Sequence, residues 1–198
     1  YVRRAAINAI GKLGIPDLGK VLLPRLDTDD PRMRRTLITA LRRLKTQEAV
    51  PVLVEMLKGY QDEPGPRDLP VVKTLVIALG DLRAREAVPV LMDVVRGYVG
   101  ARSLAAAALG QIGDPQACSV LVETLADPST SLRLAALRSL GRLGCPGAAP
   151  AVREFLKSGD PRLRRIAALT LGHLQDQASI PKLLAMAQGD YSPLVRPV

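Results

Sequence analysis

One motif recurs along the chain at nearly constant spacing, and a register that tight restricts the fold to a stack of like units. Six segments align: VRRAAINAIGKLG from Val2, MRRTLITALRRLK from Met33, VVKTLVIALGDLR from Val71, ARSLAAAALGQIG from Ala101, LRLAALRSLGRLG from Leu132 and LRRIAALTLGHLQ from Leu163. The second position of each block is Arg3, Arg34, Val72, Arg102, Arg133 and Arg164, at steps of 31, 38, 30, 31 and 31 residues. Leu194-Val195-Arg196 announces a seventh block 32 residues further on. A unit this short buries its apolar side only against its neighbours. The expected units are residues 1–29, 30–58, 70–97, 98–126, 127–158 and 159–189, with an insert loop at 59–70 and the start of a further repeat at 190–198. Because the pattern starts in mid-helix and stops as a seventh unit begins, the expectation is a segment of a longer protein.

Each unit reads as two helices. In the first, apolar residues recur at i, i+3, i+4 and i+7, so that in the fifth repeat Leu132, Ala135, Ala136, Ser139, Leu140 and Leu143 share one side. Asp30-Pro31, Asp127-Pro128 and Asp160-Pro161 place an N-cap acceptor before a proline at the first helical position. Gly14, Gly113 and Gly144 are stop signals. Pro51, Pro89, Pro150 and Pro181 announce the second helix, whose fixed apolar positions are Leu22, Leu53, Leu91, Leu121, Val152 and Leu183. No stretch alternates as a strand does, and the expected fold is all-α.

Composition narrows the function. The 198 residues include one His and two Cys, too few for the common zinc sites or a disulfide framework. No apolar run approaches the roughly 18 residues that span a bilayer. The formal net charge of +9 makes acidic partners worth considering.

The pattern in LRLAALRSLGRLGCPGAAPAVREFL resembles the short HEAT-like repeats of phycobilisome-lyase-like proteins, and the resemblance covers essentially the whole chain. It implies a right-handed α-solenoid of about six two-helix repeats, first helices convex and second helices concave. It also implies an Asp–Arg ladder between repeats, here Asp30/Arg34, Asp127/Arg133, Asp160/Arg164 and Asp190/Arg196, with Val72 breaking the series. Most such proteins are binding scaffolds, and a minority are associated with an enzymatic activity.

Two surfaces carry candidate chemistry. On the first helices an outward stripe reads Arg4-Asn8-Lys12, Arg35-Thr39-Arg43, Lys73-Ile77-Asp81, Ser103-Ala107-Gln111, Leu134-Arg138-Arg142 and Arg165-Leu169-His173. It is either a solvated face or a basic surface that meets nucleic acid, acidic protein or anionic lipid. On the second helices, Glu55, Asp93, Glu123 and Glu154 form an acidic row, and Lys58, Arg96 and Lys157 follow at i+3. Beside them Met56, Val94, Thr124, Phe155 and Met186 are expected as an apolar strip, which together would make a groove for a partner helix or peptide. In the insert loop, three prolines and two glycines exclude a continuous helix, and Tyr60 has a counterpart in Tyr98.

The remaining residues suggest little. Cys118 is expected as a small core residue, Cys145 as an exposed turn residue, and His173 as a helix-end surface residue. Carboxylates flanked by Lys and Arg stay ionised rather than tuned for acid–base work. The expectation is therefore a cytoplasmic, non-catalytic protein-binding scaffold without metal, cofactor or small-molecule substrate. Its partner would lie along Glu55, Met56, Tyr60, Asp93, Val94, Tyr98, Glu123, Thr124, Glu154 and Phe155. The alternatives are a bilin-lyase-like chromophore chaperone and, less favoured, a binder of nucleic acid or an anionic surface.

Overall fold

The first helices form one continuous layer because, at every described junction but one, a glycine sits where the neighbour presses closest. In the computed structural model, which describes residues 1–62, 65, 68–97 and 100–189 (backbone alone at 61 and 62), these helices are α1 (Val2–Leu13), α3 (Pro31–Arg43), α5 (Leu69–Asp81), α7 (Arg102–Ile112), α9 (Thr130–Leu143) and α11 (Pro161–His173). Each packs on the next. The second layer holds α2 (Leu18–Leu22), α4 (Val50–Asp62), α6 (Val88–Gly97), α8 (Cys118–Glu123), α10 (Ala149–Glu154) and α12 (Ile180–Gly189). From α2 to α10, each of these packs against the first helix of the following repeat. Among the described residues there is no strand. The chain is an α-solenoid, as the repeat register predicts.

The close approaches fall at one position of the register. A Cβ added at Gly11 would lie 2.9 Å from Ala40 Cα, one at Gly80 2.9 Å from Ala108 Cβ, and one at Gly110 2.8 Å from Ser139 Cα. Where the facing residue is Ser139 or Thr170 rather than alanine, its buried hydroxyl donates to the preceding repeat's Ala106 or Leu137 carbonyl, at 2.8 and 2.9 Å. That satisfies a polar group that would otherwise be costly to bury. The junction between α3 and α5 departs from this rule. Arg42 occupies the glycine position and pairs with Asp81 at 2.6 Å across the repeats. This junction is also the one that spans the long sequence step.

Helix ends follow the expected signals with one shift. Asp30 and Asp160 cap α3 and α11, accepting from the N–H groups of Arg32 and Arg162. Asp127 does not cap α9: the helix starts two residues later than predicted, with Ser129 as N-cap. Gly14, Gly113 and Gly144 adopt left-handed φ values of 69°, 84° and 65°. At the equivalent positions of the other repeats, Lys45, Arg83 and Gln175 adopt the same conformation at φ 52–54° without glycine's freedom. The core is built from Leu, Val, Ala and Ile, including Leu53, Leu91, Leu121 and Val152 at the predicted second-helix positions.

Candidate interaction surface

The second helices expose an ordered row of charge. Glu55, Asp93, Glu123 and Glu154 are all exposed, one per repeat. Lys58 pairs with Glu55 at 2.7 Å, Lys157 with Glu154 at 3.2 Å, and Arg96 lies 3.8 Å from Asp93 and 3.9 Å from Glu123, bridging two repeats. Such exposed pairs contribute only about 0.2–1 kcal/mol each. Their importance is positional, because they hold one carboxylate per repeat along a rigid edge.

The apolar strip beside that row is largely absent, which corrects the sequence expectation. Val94 is 0% exposed and Thr124 5%, and the Thr124 hydroxyl donates to the Val120 carbonyl at 2.5 Å. Met186 is also buried. These positions face the layer interface, where sequence alone could not separate a core edge from a surface strip. Met56 and Phe155 remain half-buried. Tyr98 and residues 63, 64, 66 and 67 of the insert loop lie outside the described residues, as does the Asp190/Arg196 pair.

Tyr60 has a role that the sequence did not reveal. Arg34 Nη1 donates to its hydroxyl at 2.6 Å, and Nη2 donates to the Thr28 carbonyl. Together with Val52, Met56, Asp27 and Asp68 they line an open cleft of about 580 Å³. Val52 is 41% exposed there. Asp68 Oδ2 also accepts from the Gly65 N–H at 2.8 Å, folding the end of the insert loop onto the α5 start.

Among the described residues, Arg34 and Arg133 make no ion pair with the carboxylate expected to open their own helix. Arg102 donates to the Val95 carbonyl at 2.6 Å, and Arg164 to Ser158 O at 2.9 Å, as Arg34 does to Thr28 O. Each reaches back to the carbonyls left unpaired where the preceding second helix ends. Asp30 and Asp160 are occupied by their caps, Asp160 also pairing with Arg162 at 2.9 Å. Arg133 donates to Thr130 at 3.2 Å. Among the described residues Arg102 makes an inter-repeat rung with Asp127, at 2.7 Å. The Ser129 N–H first, and then the Arg102 guanidinium, hold the Asp127 carboxyl below the usual carboxylate range.

Cys118 and Cys145 form a disulfide with Cα atoms 5.8 Å apart. This overturns the expectation of an independent core thiol and an exposed turn thiol; Cys145 is 2% exposed. Cys145 precedes the fifth repeat's equivalent of Cys118 by four residues, one helical turn, at the same end of adjacent repeats.

On the outer layer, Arg35, Arg43, Arg138, Arg142, Arg165 and His173 are exposed, as the stripe predicts. Among the described residues no group of His, Cys, Asp and Glu is placed to hold a metal ion, and no helix is long and apolar enough to cross a membrane.

A family model described as HEAT repeats matches residues 1–64, 67–132 and 120–198. No curated protein matches the sequence. Among solved structures, the chain is similar to one in the complex of CpcE and CpcF of phycocyanin lyase from Nostoc sp. PCC7120. The identity is 25% and the TM-score 0.69, over 89% of this chain and 72% of that one. It is also similar to human deoxyhypusine hydroxylase in complex with glycerol, at 21% identity and a TM-score of 0.47, over 97% and 74% of the two chains.

Proposed function

Given that the chain belongs to the HEAT-repeat family, we propose that it is a non-catalytic scaffold that binds a partner protein along its second-helix face. The observation that carries this reading is the exposed row Glu55, Asp93, Glu123 and Glu154, one carboxylate in each of repeats two to five. At one end the row runs into the cleft of Val52, Met56 and Tyr60. Half-buried Met56 and Phe155 add adaptable apolar contacts beside the charges. Tyr98, in register with Tyr60, and the 59–70 segment, whose ends lie in α4 and α5, belong to the same proposal on sequence grounds. Binding is a matter of shape and charge matching, with no bond made or broken, in the cytoplasm. Support also comes from the phycocyanin lyase neighbour, which was solved as a complex of two proteins.

The test is affinity capture with the intact chain and with a Glu55→Lys/Asp93→Lys/Glu123→Lys variant of equal helicity. The expected result is a discrete protein held by the first and lost by the second. A partner retained equally by both sinks the assignment to this face.

The same neighbour, at 25% identity and a TM-score of 0.69, favours a second reading as a bilin-lyase-like chromophore chaperone. Incubation with a free bilin followed by gel filtration decides it. Pigment absorbance that migrates with the chain supports the reading, and colourless protein removes it.

A further inference from the structure

The excess positive charge is confined to one layer of the solenoid. The six first helices carry sixteen Lys and Arg against a single carboxylate, Asp81. Asp81 is already paired with Arg42. In the second layer the cations Lys58, Arg96 and Lys157 have carboxylate partners. By contrast, Arg35, Arg43, Lys73, Arg138, Arg142 and Arg165 make no ion pair among the described residues. These six cations therefore put an excess of positive charge without ion-pair partners on the first-helix layer.

We propose that this first-helix face is a second interaction surface, fitted to a folded protein that presents an acidic patch. The arrangement favours a protein over a phosphate backbone. A backbone track wants cations in every repeat, but the third and fourth repeats interrupt the stripe with Ile77, Ser103 and Ala107. Ile77 is 36% exposed, and Leu169, among the cations of the sixth repeat, is 51% exposed. A low-charge, partly apolar centre between arginine-rich flanks has the anatomy of a protein interface. Arginine outnumbers lysine in the flanks, and its planar fork suits carboxylates presented by a fixed surface. The layered fold leaves this face and the second-helix face available together, so the scaffold can hold two partners at once. Long-range attraction of the acidic partner would be strongest at low salt.

Poly-L-glutamate serves as the probe, measured by fluorescence anisotropy with the intact chain across a salt series. Arg35→Gln/Arg138→Gln/Arg142→Gln/Arg165→Gln removes four unpartnered cations from the first-helix face. Lys58→Gln/Arg96→Gln/Lys157→Gln/Lys182→Gln removes the same charge from the second layer. The first variant is expected to weaken binding about tenfold or more and to flatten its salt dependence, the second to change it less than about twofold. Equal weakening by both variants would show a net-charge effect and overturn the assignment of the face. Absence of binding at low salt would overturn it as well. Tighter capture of a 20-base-pair duplex, or of phosphatidylserine vesicles, than of poly-L-glutamate at matched charge would give the face to nucleic acid or membrane instead.

Discussion

Gly110 and Gly172 occupy the same position of the fourth and sixth repeats, yet their surroundings differ. At Gly110 a Cβ would press on Ser139, whose hydroxyl is committed to the Ala106 carbonyl. At Gly172 nothing among the described residues lies within 4 Å. Gly110→Ala is therefore expected to destabilise the chain by about 1–3 kcal/mol through overpacking. Gly172→Ala should stabilise it by roughly 0.5–1 kcal/mol through helix propensity alone. Chemical denaturation of the two variants separates these effects, and a similar shift in both would mean that the glycine row is not a packing device. Lys45, Arg83 and Gln175 make a related point, holding left-handed backbone conformations that the helix–helix turn imposes whatever the side chain.

Between elements, the disulfide and the Arg102–Asp127 pair are among the links that hold adjacent repeats together beyond apolar packing. The disulfide ties α8 to the turn before α10, closing a sequence separation of 27. A loop of that size is worth about 3–4 kcal/mol in the chain-entropy view. Reduction should lower the thermal midpoint of the native chain and leave a Cys118→Ser/Cys145→Ser variant unmoved; equal sensitivity of both would remove the link. Alkylation and mass measurement without reductant bear on compartment, since cytosolic thiol pools keep most such pairs reduced. Blocked thiols would argue for folding in an oxidising compartment, against the cytoplasmic expectation, and two labelled thiols for it.

The second link is Arg102–Asp127. The Asp127 carboxyl is held below its ordinary range by the Ser129 N–H and by Arg102. Its contribution to stability is therefore present above the unfolded carboxylate's pKa and is lost as pH falls through the lower folded value. Over roughly pH 5 to 2, Asp127→Asn should lose less of its own stability than the native chain does. Denaturation midpoints measured across that range check the sign.

At the scale of the whole molecule, a repeat stack is stabilised through nearest-neighbour interfaces rather than one central core. The helices of the third and fourth repeats, α5 to α8, hold residues that are almost fully buried, such as Leu75, Leu79, Val94 and Leu109. In contrast, Val2, Leu13 and Val21 at one end, and Ile180 and Leu184 at the other, are exposed. Hydrogen exchange is expected to be slowest in α5, α7 and α9 and fastest in α1, α2 and α12. A flat exchange profile along the chain would mean that the stack opens as a single unit.

The sequence alone determined the repeat register, the all-α class, the two helices per unit, the caps at Asp30 and Asp160 and the glycine stops, because each depends on spacing and local backbone chemistry. The exposed carboxylate row was legible for the same reason, since charged residues at a fixed helical position stay in water. Tertiary structure alone decided what sits opposite what. It buried Val94 and Thr124, which share a periodicity with half-buried Met56 and Phe155. It gave Asp127 to Arg102 of the preceding repeat rather than to Arg133. It brought Tyr60 to Arg34, Asp81 to Arg42 and Cys118 to Cys145. The physical reason is that periodicity specifies which side of a helix faces inward, while the offset between stacked helices, set here by glycine-to-small-residue contacts, selects the partner each side chain meets.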